Sequence, residues 1–230
     1  MNDKERVAKK AAMEISHGMV VGLGTGSSAD CFIEALAQRH HEEGLGVQTV
    51  ASSIVSMQKA QNLGLPIIAI EHLDQLDYYV DGADEVTDDL VLSKGQGADL
   101  VREKILATAA DKFIVLIDQS KRVKRIGERF PVPVEVIPFS WHLVAKALRR
   151  IGGQSLLRPN ANNSGLATTS YGNLVLDVDF GVLLTAEEID NALNAMPGVI
   201  EHGIFRNLAS SVYIGVAGDV EELQRQERFF

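Results

Sequence analysis

Short runs of apolar residues alternate with segments of helical periodicity along the first half of the chain. The pattern predicts strands at residues 19–23, 47–51, 67–70, 78–80 and 114–117, and helices at residues 29–39 and 55–63. Strands that alternate with helices of about 10 residues form a parallel sheet covered by helices on both faces. In such a sheet, ligands bind at the carboxyl ends of the strands. The segments in these positions are residues 22–28, 52–56, 81–85 and 118–121.

A second region begins near residues 130–133, because the prolines there suit a linker or an edge strand but not a helix interior. Its pattern predicts strands at residues 134–137, 154–157, 174–178 and 199–203, and helices at residues 141–151 and 186–195. A last apolar run at residues 212–217 is able to rejoin the first sheet. We therefore expect a Rossmann-like α/β domain with a mostly parallel sheet (residues 1–127 and 205–230) and a smaller α+β domain (residues 128–204).

Composition and charge are those of a globular protein without affinity for polyanions. The chain has 230 residues, of which 46% are hydrophobic, and its formal net charge is −9. This charge repels nucleic-acid backbones, so a phosphorylated ligand needs a locally built site. No apolar run approaches the roughly 20 residues that a membrane span needs. The lone Cys31 and a charged N-terminal segment, unlike the apolar core of a signal peptide, favour a cytoplasmic protein.

A glycine-rich loop follows the first predicted strand and consists of Gly22, Leu23, Gly24, Thr25, Gly26, Ser27 and Ser28. A helix is predicted to begin just after it, so backbone amides and the helix N-terminus are placed to hold a phosphate dianion. The alternative is a glycine turn with a serine helix cap. The loop is not a nucleotide P-loop, which needs a Lys-Ser/Thr pair after the last glycine. Nor is it a dinucleotide fingerprint, because Ser27 replaces the third glycine.

A cluster of acidic and small residues follows the strand at 78–80 and consists of Asp81, Gly82, Ala83, Asp84 and Glu85. The small residues leave room for a substrate. Crowded carboxylates bind protons more tightly than isolated ones, which suits proton transfer between sugar oxygens. The alternatives are a metal site and an acidic turn. We expect no metal, because the six histidines show no ligand spacing.

Two further segments carry candidate catalytic groups. A loop consists of Lys94, Gly95, Gln96, Gly97 and Ala98, and the charge of Lys94 is suited to stabilise an oxyanion. Glu103 lies on the second turn of the helix predicted to follow. It shares a helical stripe with Asp99, Leu106, Ala107 and Ala110, so its carboxylate is expected to be shielded from water. A base that removes a proton from carbon needs such shielding.

Other basic residues are weaker candidates. Lys121 follows the strand at 114–117 and is suited to contact a phosphate or an oxyanion. For Arg102 and Lys104 a solvated helix face with ordinary charge pairs is the better interpretation.

Taken together, these motifs resemble in order and spacing those of the type A ribose-5-phosphate isomerases, across nearly the whole chain. The resemblance implies that ribose 5-phosphate and ribulose 5-phosphate are interconverted through an ene-diolate, without metal or other cofactor, in the non-oxidative pentose phosphate pathway. It implies that Glu103 moves the proton between C1 and C2 and that Lys94 stabilises the ene-diolate oxygen. It also implies that Asp81 and Asp84 assist ring opening and proton transfer at the hydroxyls.

The same resemblance implies further contacts and an assembly. The substrate-binding residues expected from it are Thr25, Gly26, Ser27, Ser28, Asp81, Gly82, Ala83, Asp84, Lys94, Gly95, Gln96, Gly97 and Lys121. Lys4 matches an N-terminal lysine that approaches the phosphate. The family forms homo-oligomers through its smaller domain, so a homodimer or homotetramer is expected.

The chain departs from the family pattern in three places. Gln96 replaces a common glycine, so its longer side chain reaches toward the sugar or points away. Ile54 and Val55 make the loop after the second strand more apolar than expected, which leaves Ser52, Ser53 and Ser56 for hydroxyl contacts. A turn at residues 169–173 differs in sequence from the family's turn, which affects the hairpin geometry.

Two rival functions remain open. A sugar-phosphate sensor would keep the phosphate loop without catalysis, but it has no need of Glu103 and Lys94 beside an acidic pair. An enzyme that acts on an activated thioester would instead form an anhydride on a glutamate.

Overall fold

The computed structural model describes residues 2–225 of the chain. In chain order, its helices and strands are α1 (Asp3–Met13), β1 (Val20–Leu23), α2 (Ser27–Glu42), β2 (Gln48–Ala51), α3 (Ile54–Asn62), β3 (Leu76–Asp81), β4 (Glu85–Val86), β5 (Leu92–Ser93), α4 (Leu100–Ala109), β6 (Ala110–Asp118), β7 (Val132–Val136), α5 (Trp141–Arg150), β8 (Gln154–Leu157), β9 (Leu174–Asp179), α6 (Ala186–Asn194), β10 (Val199–His202), β11 (Ile204–Phe205), β12 (Ser211–Val216) and β13 (Asp219–Gln224). Short 3-10 helices lie at Ile70–His72, Gln119–Lys121 and Pro138–Ser140.

Contacts between residues divide the chain into two compact units. Unit 1 comprises Met1–Ala83, Arg102–Arg122 and Asn207–Phe230, and unit 2 comprises Asp84–Val101 and Val123–Arg206. These bounds differ from the predicted domain bounds mainly at residues 84–101, which group with unit 2. The assignment of catalysis to one domain and of oligomerisation to the other stays a prediction.

A six-stranded sheet forms the centre of unit 1. Its strand order is β13-β12-β6-β3-β1-β2, and every neighbouring pair is parallel except β12 with β13. One buried apolar cluster joins Val7 of α1 and Phe32 of α2 to Val80 and Leu116 of the sheet. The predicted sheet of mostly parallel strands flanked by helices is therefore confirmed. The apolar run at residues 212–217 does rejoin this sheet, as β12.

Two segments of unit 1 differ from the sequence prediction. Helix α1 was not predicted, although Asn2 and Glu5 form a capping box in which each side chain accepts a hydrogen bond from the other's backbone N–H at 2.9 Å. The strand predicted at residues 67–70 is wrong, because Ile67 forms only an isolated bridge with Thr49. Pro66 has no N–H with which to extend that pairing.

Unit 2 contains a four-stranded antiparallel sheet with the order β10-β7-β9-β8. Residues of this sheet and of α5 and α6 share a buried apolar cluster that includes Val134, Val144, Leu148, Leu176 and Leu193. A small second sheet has the order β11-β5-β4. This arrangement confirms the predicted α+β character of the region, and the small sheet carries the segments around Asp84 and Lys94.

Candidate active site

The loops of unit 1 that were predicted to form a site lie at one edge of its sheet. Strands β2, β1, β3 and β6 are consecutive neighbours and run parallel, so their carboxyl ends meet at the same edge. These strands end at Ala51, Leu23, Asp81 and Asp118. Each is followed by one of the segments that carry hydroxyls, carboxylates or lysines.

The glycine-rich loop between β1 and α2 is held tightly against β3. The backbone N–H of Thr25 donates a 3.0 Å hydrogen bond to Oδ1 of Asp81. A Cβ at Gly24 would overlap that same carboxylate, so only glycine permits this close approach. Helix α2 begins at Ser27 rather than near residue 29, and the first amides of a helix have no intrahelical acceptor. The loop therefore presents the end of a helix that favours anions.

The hydroxyl of Thr25 is the centre of a small hydroxyl network. Its Oγ1 lies 2.9 Å from Oγ of Ser52, 2.7 Å from Oγ of Ser53 and 3.0 Å from Oγ of Ser56. All three serines are buried, whereas the neighbouring Ile54 and Val55 are 58% and 65% exposed. The serine hydroxyls after β2 thus bind Thr25, and the apolar pair faces solvent.

Two lysines of unit 1 lie near the loop or near the end of β6. Nζ of Lys4 donates a 2.8 Å hydrogen bond to Oγ of Ser27. Burial works to raise the pKa of Asp118, but hydrogen bonds from Ser120 and the charges of Lys4 and Lys121 lower it overall. Positive charge from two separate segments is therefore concentrated at this part of the sheet edge.

Asp81 is fully buried at the end of β3 and accepts several hydrogen bonds. Its Oδ1 accepts from the backbone N–H of Thr25 and, at 2.7 Å, from that of Gly82. Its Oδ2 accepts a 2.5 Å hydrogen bond from the phenol of Tyr79. Ala83 and Gly82 are half-buried beside it, so the small residues predicted to leave room do follow this carboxylate.

Glu103 lies in the first turn of α4 and is only 5% exposed. The predicted shielding from water is confirmed, and Leu106 and Ala107 of the same stripe are buried too. The predicted position on the second turn is wrong, because α4 begins at Leu100. Burial raises the pKa of Tyr79 well above its usual value, and the charges of Asp81 and Glu103 raise it further. Both carboxylates therefore act on the same buried phenol.

Unit 2 holds the other two predicted catalytic residues. The backbone N–H of Asp84 donates a 2.8 Å hydrogen bond to the carbonyl of Ser93, and Oδ2 of Asp84 accepts at 3.3 Å from the N–H of Gln96. Lys94 is 4% exposed, and its Nζ lies 5.8 Å from the ring centroid of Phe205. Gln96 and Gly97 are exposed.

Glu85, the third carboxylate of the acidic cluster, is bound by backbone amides. It is fully buried and accepts backbone hydrogen bonds from Gly127, Arg129 and Phe130, at 2.6, 2.5 and 3.1 Å. Its carboxylate therefore fastens the segment that precedes β7 and has a structural role. Among residues 2–225, no group of three or more His, Cys, Asp or Glu side chains is arranged to hold a metal ion.

The predicted site residues thus form one group in each unit. Unit 1 brings together Thr25, Gly26, Ser27, Ser28, Asp81, Gly82, Ala83, Glu103 and Lys121, and unit 2 holds Asp84, Lys94, Gly95, Gln96 and Gly97. Sequence reasoning missed Tyr79, although alternate residues of a strand share one face and Tyr79 is two positions before Asp81. It also missed Arg158, whose guanidinium binds the carbonyls of Gly95 and Gln96.

The helices in the described part of the chain are too short or too polar to span a membrane. None of those within residues 2–225 combines the length and the apolar composition needed to cross a bilayer.

A family model and full-length relatives match this chain. The chain matches the model of ribose 5-phosphate isomerase A (phosphoriboisomerase A) over residues 48–219, more than half of its length. The ribose-5-phosphate isomerase A of Methanothermobacter thermautotrophicus is 43% identical over 224 residues, which cover 97% of this chain and 98% of the relative. That of Thermomicrobium roseum is 40% identical over 223 residues, which cover 96% and 93%.

Solved structures agree with the sequence relatives. The ribose 5-phosphate isomerase A of Methanocaldococcus jannaschii matches with a TM-score of 0.92 at 39% identity, over 96% of this chain and 98% of that chain. A D-ribose-5-phosphate isomerase in complex with phospho-erythronic acid matches with a TM-score of 0.94 at 37% identity, over 98% and 100%. The family model and the high coverage of both chains confirm the resemblance of the motifs: the chain belongs to the ribose 5-phosphate isomerase A family of enzymes.

Proposed function

We propose that this chain interconverts D-ribose 5-phosphate and D-ribulose 5-phosphate through an ene-diolate, with Glu103 as the general base. The reaction is an internal redox change, so it needs no external oxidant or reductant. We place it in the non-oxidative pentose phosphate pathway and propose that it requires no metal. The single observation that carries the proposal is the burial of the Glu103 carboxylate, which is 5% exposed, in the same unit as the buried Asp81 and the glycine-rich loop.

In the open-chain aldose, the carboxylate of Glu103 removes the proton from C2, the C2 electron pair forms a C1=C2 double bond, and O1 gains the negative charge. Return of that proton to C1, with transfer of the O2 proton to O1, leaves the carbonyl at C2 and completes the ketose. A base that is shielded from bulk water protects such an intermediate from side reactions, and Glu103 is 5% exposed.

Two aspartates and a lysine receive the remaining chemical roles. Asp81 and Asp84 assist ring opening and the transfer of protons at the sugar hydroxyls. Lys94 stabilises the ene-diolate oxygen, because a preorganised positive charge favours a developing negative charge most strongly where water is scarce. Its 4% exposure supports this role.

The phosphate is bound, in this proposal, by the loop between β1 and α2. Thr25, Gly26, Ser27 and Ser28 offer amides and hydroxyls at a helix N-terminus, and Lys4 already donates a hydrogen bond to Ser27. Lys121 contributes a second positive charge. The solved relative in complex with phospho-erythronic acid, whose name denotes a phosphorylated sugar acid, supports a sugar-phosphate ligand for this chain.

The remaining proposed contacts and the assembly follow from family membership. Gly82, Ala83, Gly95, Gln96 and Gly97 contact the sugar, mostly through their backbones because four of them have small or no side chains. We propose a cytoplasmic homodimer or homotetramer that assembles through the smaller domain.

The decisive experiment is an assay of purified, chelator-treated protein with ribose 5-phosphate, in D₂O, followed by NMR. Wild type should form ribulose 5-phosphate that carries deuterium at C1, the carbon that receives a proton, because the proton held by Glu103 exchanges with the solvent before it is returned. Glu103→Gln should lower kcat by about 10³-fold, because general acid–base groups contribute roughly 10² to 10⁴. Glu14→Gln is the control, since this carboxylate also accepts hydrogen bonds from tyrosines of unit 1 but lies just after α1.

Two outcomes contradict the proposal in different ways. If wild type binds the sugar phosphate but forms no ketose, the chain is a sensor. If wild type is active and Glu103→Gln keeps its kcat within about tenfold, a different group is the base.

A further inference from the structure

The loop that carries Lys94 is clamped from one side by a single arginine. Nη1 of Arg158 donates hydrogen bonds of 3.0 Å to the carbonyl of Gly95 and 3.0 Å to that of Gln96. Arg158 lies directly after β8, and all of these residues belong to unit 2. The arginine therefore binds the backbone of the two residues that follow Lys94.

The arginine is itself held in one orientation. Its Nε donates a 2.9 Å hydrogen bond to Oδ2 of Asp177, and its Nη2 donates to Oδ1 of the same carboxylate. The side chains of Arg158 and Asp177 are only 11% and 20% exposed. A planar guanidinium bound at two edges cannot rotate, so the donor that reaches the loop has a fixed direction.

The rigid peptide group between Gly95 and Gln96 links Arg158 to Asp84. The carbonyl of Gly95 and the N–H of Gln96 belong to one trans peptide and point in opposite directions. Arg158 binds the carbonyl, and Oδ2 of Asp84 accepts a 3.3 Å hydrogen bond from the N–H. The guanidinium on one side thereby directs the amide toward the carboxylate on the other.

The loop has two residues with positive φ, one of which is not a glycine. Gly95 has φ +98° and Ala98 has φ +65°, a left-handed conformation that is unfavourable for a residue with a Cβ. A Cβ at Gly95 would also lie 3.0 Å from Cβ of Leu100. Strained backbone of this kind persists where surrounding contacts determine it, and Arg158 supplies two of those contacts.

We propose that Arg158, oriented by Asp177, is a positioning residue for the isomerase reaction. It acts through the backbone of residues 95 and 96, setting the direction of Lys94 and the N–H that binds Asp84. This inference rests on the proposed function, because it assigns Arg158 a catalytic effect only through the residues that the proposed chemistry uses.

The test compares Arg158→Met, Arg158→Lys and Asp177→Asn with Arg125→Met. Arg125 is the control because its Nη1 likewise binds a glycine carbonyl of unit 2, that of Gly181, at 2.6 Å. Arg158→Met should lower kcat by about 10- to 100-fold with little change in KM, as small misplacements of catalytic groups do. Arg158→Lys keeps the charge but loses the planar guanidinium, which binds Asp177 and the loop carbonyls at the same time. Its kcat should therefore lie closer to that of Arg158→Met than to that of wild type. Asp177→Asn should give a smaller loss, and Arg125→Met none.

A double-mutant cycle separates positioning from a general structural effect. If Arg158 acts through the loop, Arg158→Met should change kcat less than about threefold in a Lys94→Met background, because the two effects are not independent. If the loss of kcat in the double variant equals the product of the losses in Arg158→Met and Lys94→Met, the proposal is overturned. So would an Arg158→Met variant with wild-type kcat beside an impaired Lys94→Met variant.

Hydrogen exchange at the Gln96 amide gives a readout that needs no catalysis. Its exchange should be at least about tenfold faster in Arg158→Met and unchanged in Arg125→Met, because the clamp orients that N–H. If wild type has no isomerase activity but the Gln96 amide still exchanges faster in Arg158→Met, only the isomerase assignment is refuted. Unchanged exchange would refute the role of Arg158, whatever the activity. If Arg158→Met fails to fold, the milder Arg158→Lys and Asp177→Asn variants decide both measurements.

Discussion

The phenol of Tyr79 donates a 2.5 Å hydrogen bond to Oδ2 of Asp81, two positions further along β3. Tyr79 is fully buried, and burial raises the pKa of its hydroxyl well above the usual value, as do the charges of Asp81 and Glu103. The phenol therefore stays protonated and can only donate to this carboxylate. It fixes the rotamer of Asp81 and leaves Oδ1 to the amides of Thr25 and Gly82.

Tyr79→Phe should lower kcat by about tenfold and the free energy of unfolding by about 1.5 to 3 kcal/mol, the usual contribution of a hydrogen bond to a charged group. The reason is that Asp81 loses one of its fixed partners while its surroundings remain buried. Steady-state kinetics and chemical denaturation measure the two effects.

Tyr78→Phe is the matched control for this prediction. Tyr78 is the preceding residue of β3 and faces the opposite side of the sheet, where Nζ of Lys112 donates a 3.1 Å hydrogen bond to its hydroxyl. Removal of the Tyr78 hydroxyl should leave kcat unchanged. An equal fall in kcat for both variants would show that Tyr79 affects the sheet as a whole and not Asp81.

Removal of the Thr25 hydroxyl should weaken substrate binding. Thr25→Val keeps the shape but removes the group that binds Ser52, Ser53 and Ser56. We expect KM for the sugar phosphate to rise about tenfold and stability to fall by about 1 to 3 kcal/mol, because buried hydroxyls lose a partner. Thr25→Ser retains the hydroxyl and should stay within about threefold of wild type. An unchanged KM in Thr25→Val would show that this hydroxyl network does not contribute to phosphate binding.

The parts of the site predicted from sequence are those governed by local periodicity. Strand ends and the glycine loop follow from the alternation of apolar runs with helical segments. The burial of Glu103 follows from its helical stripe with Leu106 and Ala107. Even the pairing of Tyr79 with Asp81 was available from the two-residue period of a strand. Family membership was predicted from the same motifs, and the comparisons confirm it.

The parts that were not predicted depend on contacts distant in sequence. The binding of Glu85 to Gly127 and the binding of Gly95 by Arg158 join segments separated by 42 and 63 positions. No local pattern marks either partner. Strand β13 was missed because its sequence is acidic, and it forms by antiparallel pairing with β12, whose own place in the sheet is set by β6. Propensity alone does not predict such a strand.

Lys4 should contribute to phosphate binding and not to the chemical step. Lys4→Met removes a charge that reaches Ser27 at 2.8 Å. We expect KM for ribose 5-phosphate and the inhibition constant of inorganic phosphate to rise together by about 5- to 10-fold, with kcat within about twofold, because a charge-assisted hydrogen bond is lost in ground and transition states alike. Lys9→Met, on an exposed position of α1, is the control. A fall in kcat without a weaker phosphate inhibition would contradict this assignment.

Glu135 makes the stability of unit 2 depend on pH in a defined direction. It is fully buried on β7, where its Oε1 accepts 2.8 Å hydrogen bonds from Thr169 and Asn173, and its Oε2 is without a hydrogen-bond partner among residues 2–225. Burial raises its pKa above the usual 4.5, although the hydrogen bonds from Asn173 and Thr169 oppose the shift. The folded state thus binds this proton more tightly than the unfolded state. Its contribution to stability is complete below pH 4.5 and is lost as pH rises through the folded pKa.

Glu135→Gln cannot titrate, so it should gain stability relative to wild type as the pH increases. The Tm of the variant minus that of wild type should rise between about pH 4 and pH 8. Glu188→Gln is a control of opposite sign, because the backbone and side chain of Thr185 hold the pKa of Glu188 below its usual value in a capping box. Its Tm relative to wild type should fall over the same interval. Parallel trends in both variants would show that the buried carboxylate of Glu135 is not the source of the pH dependence.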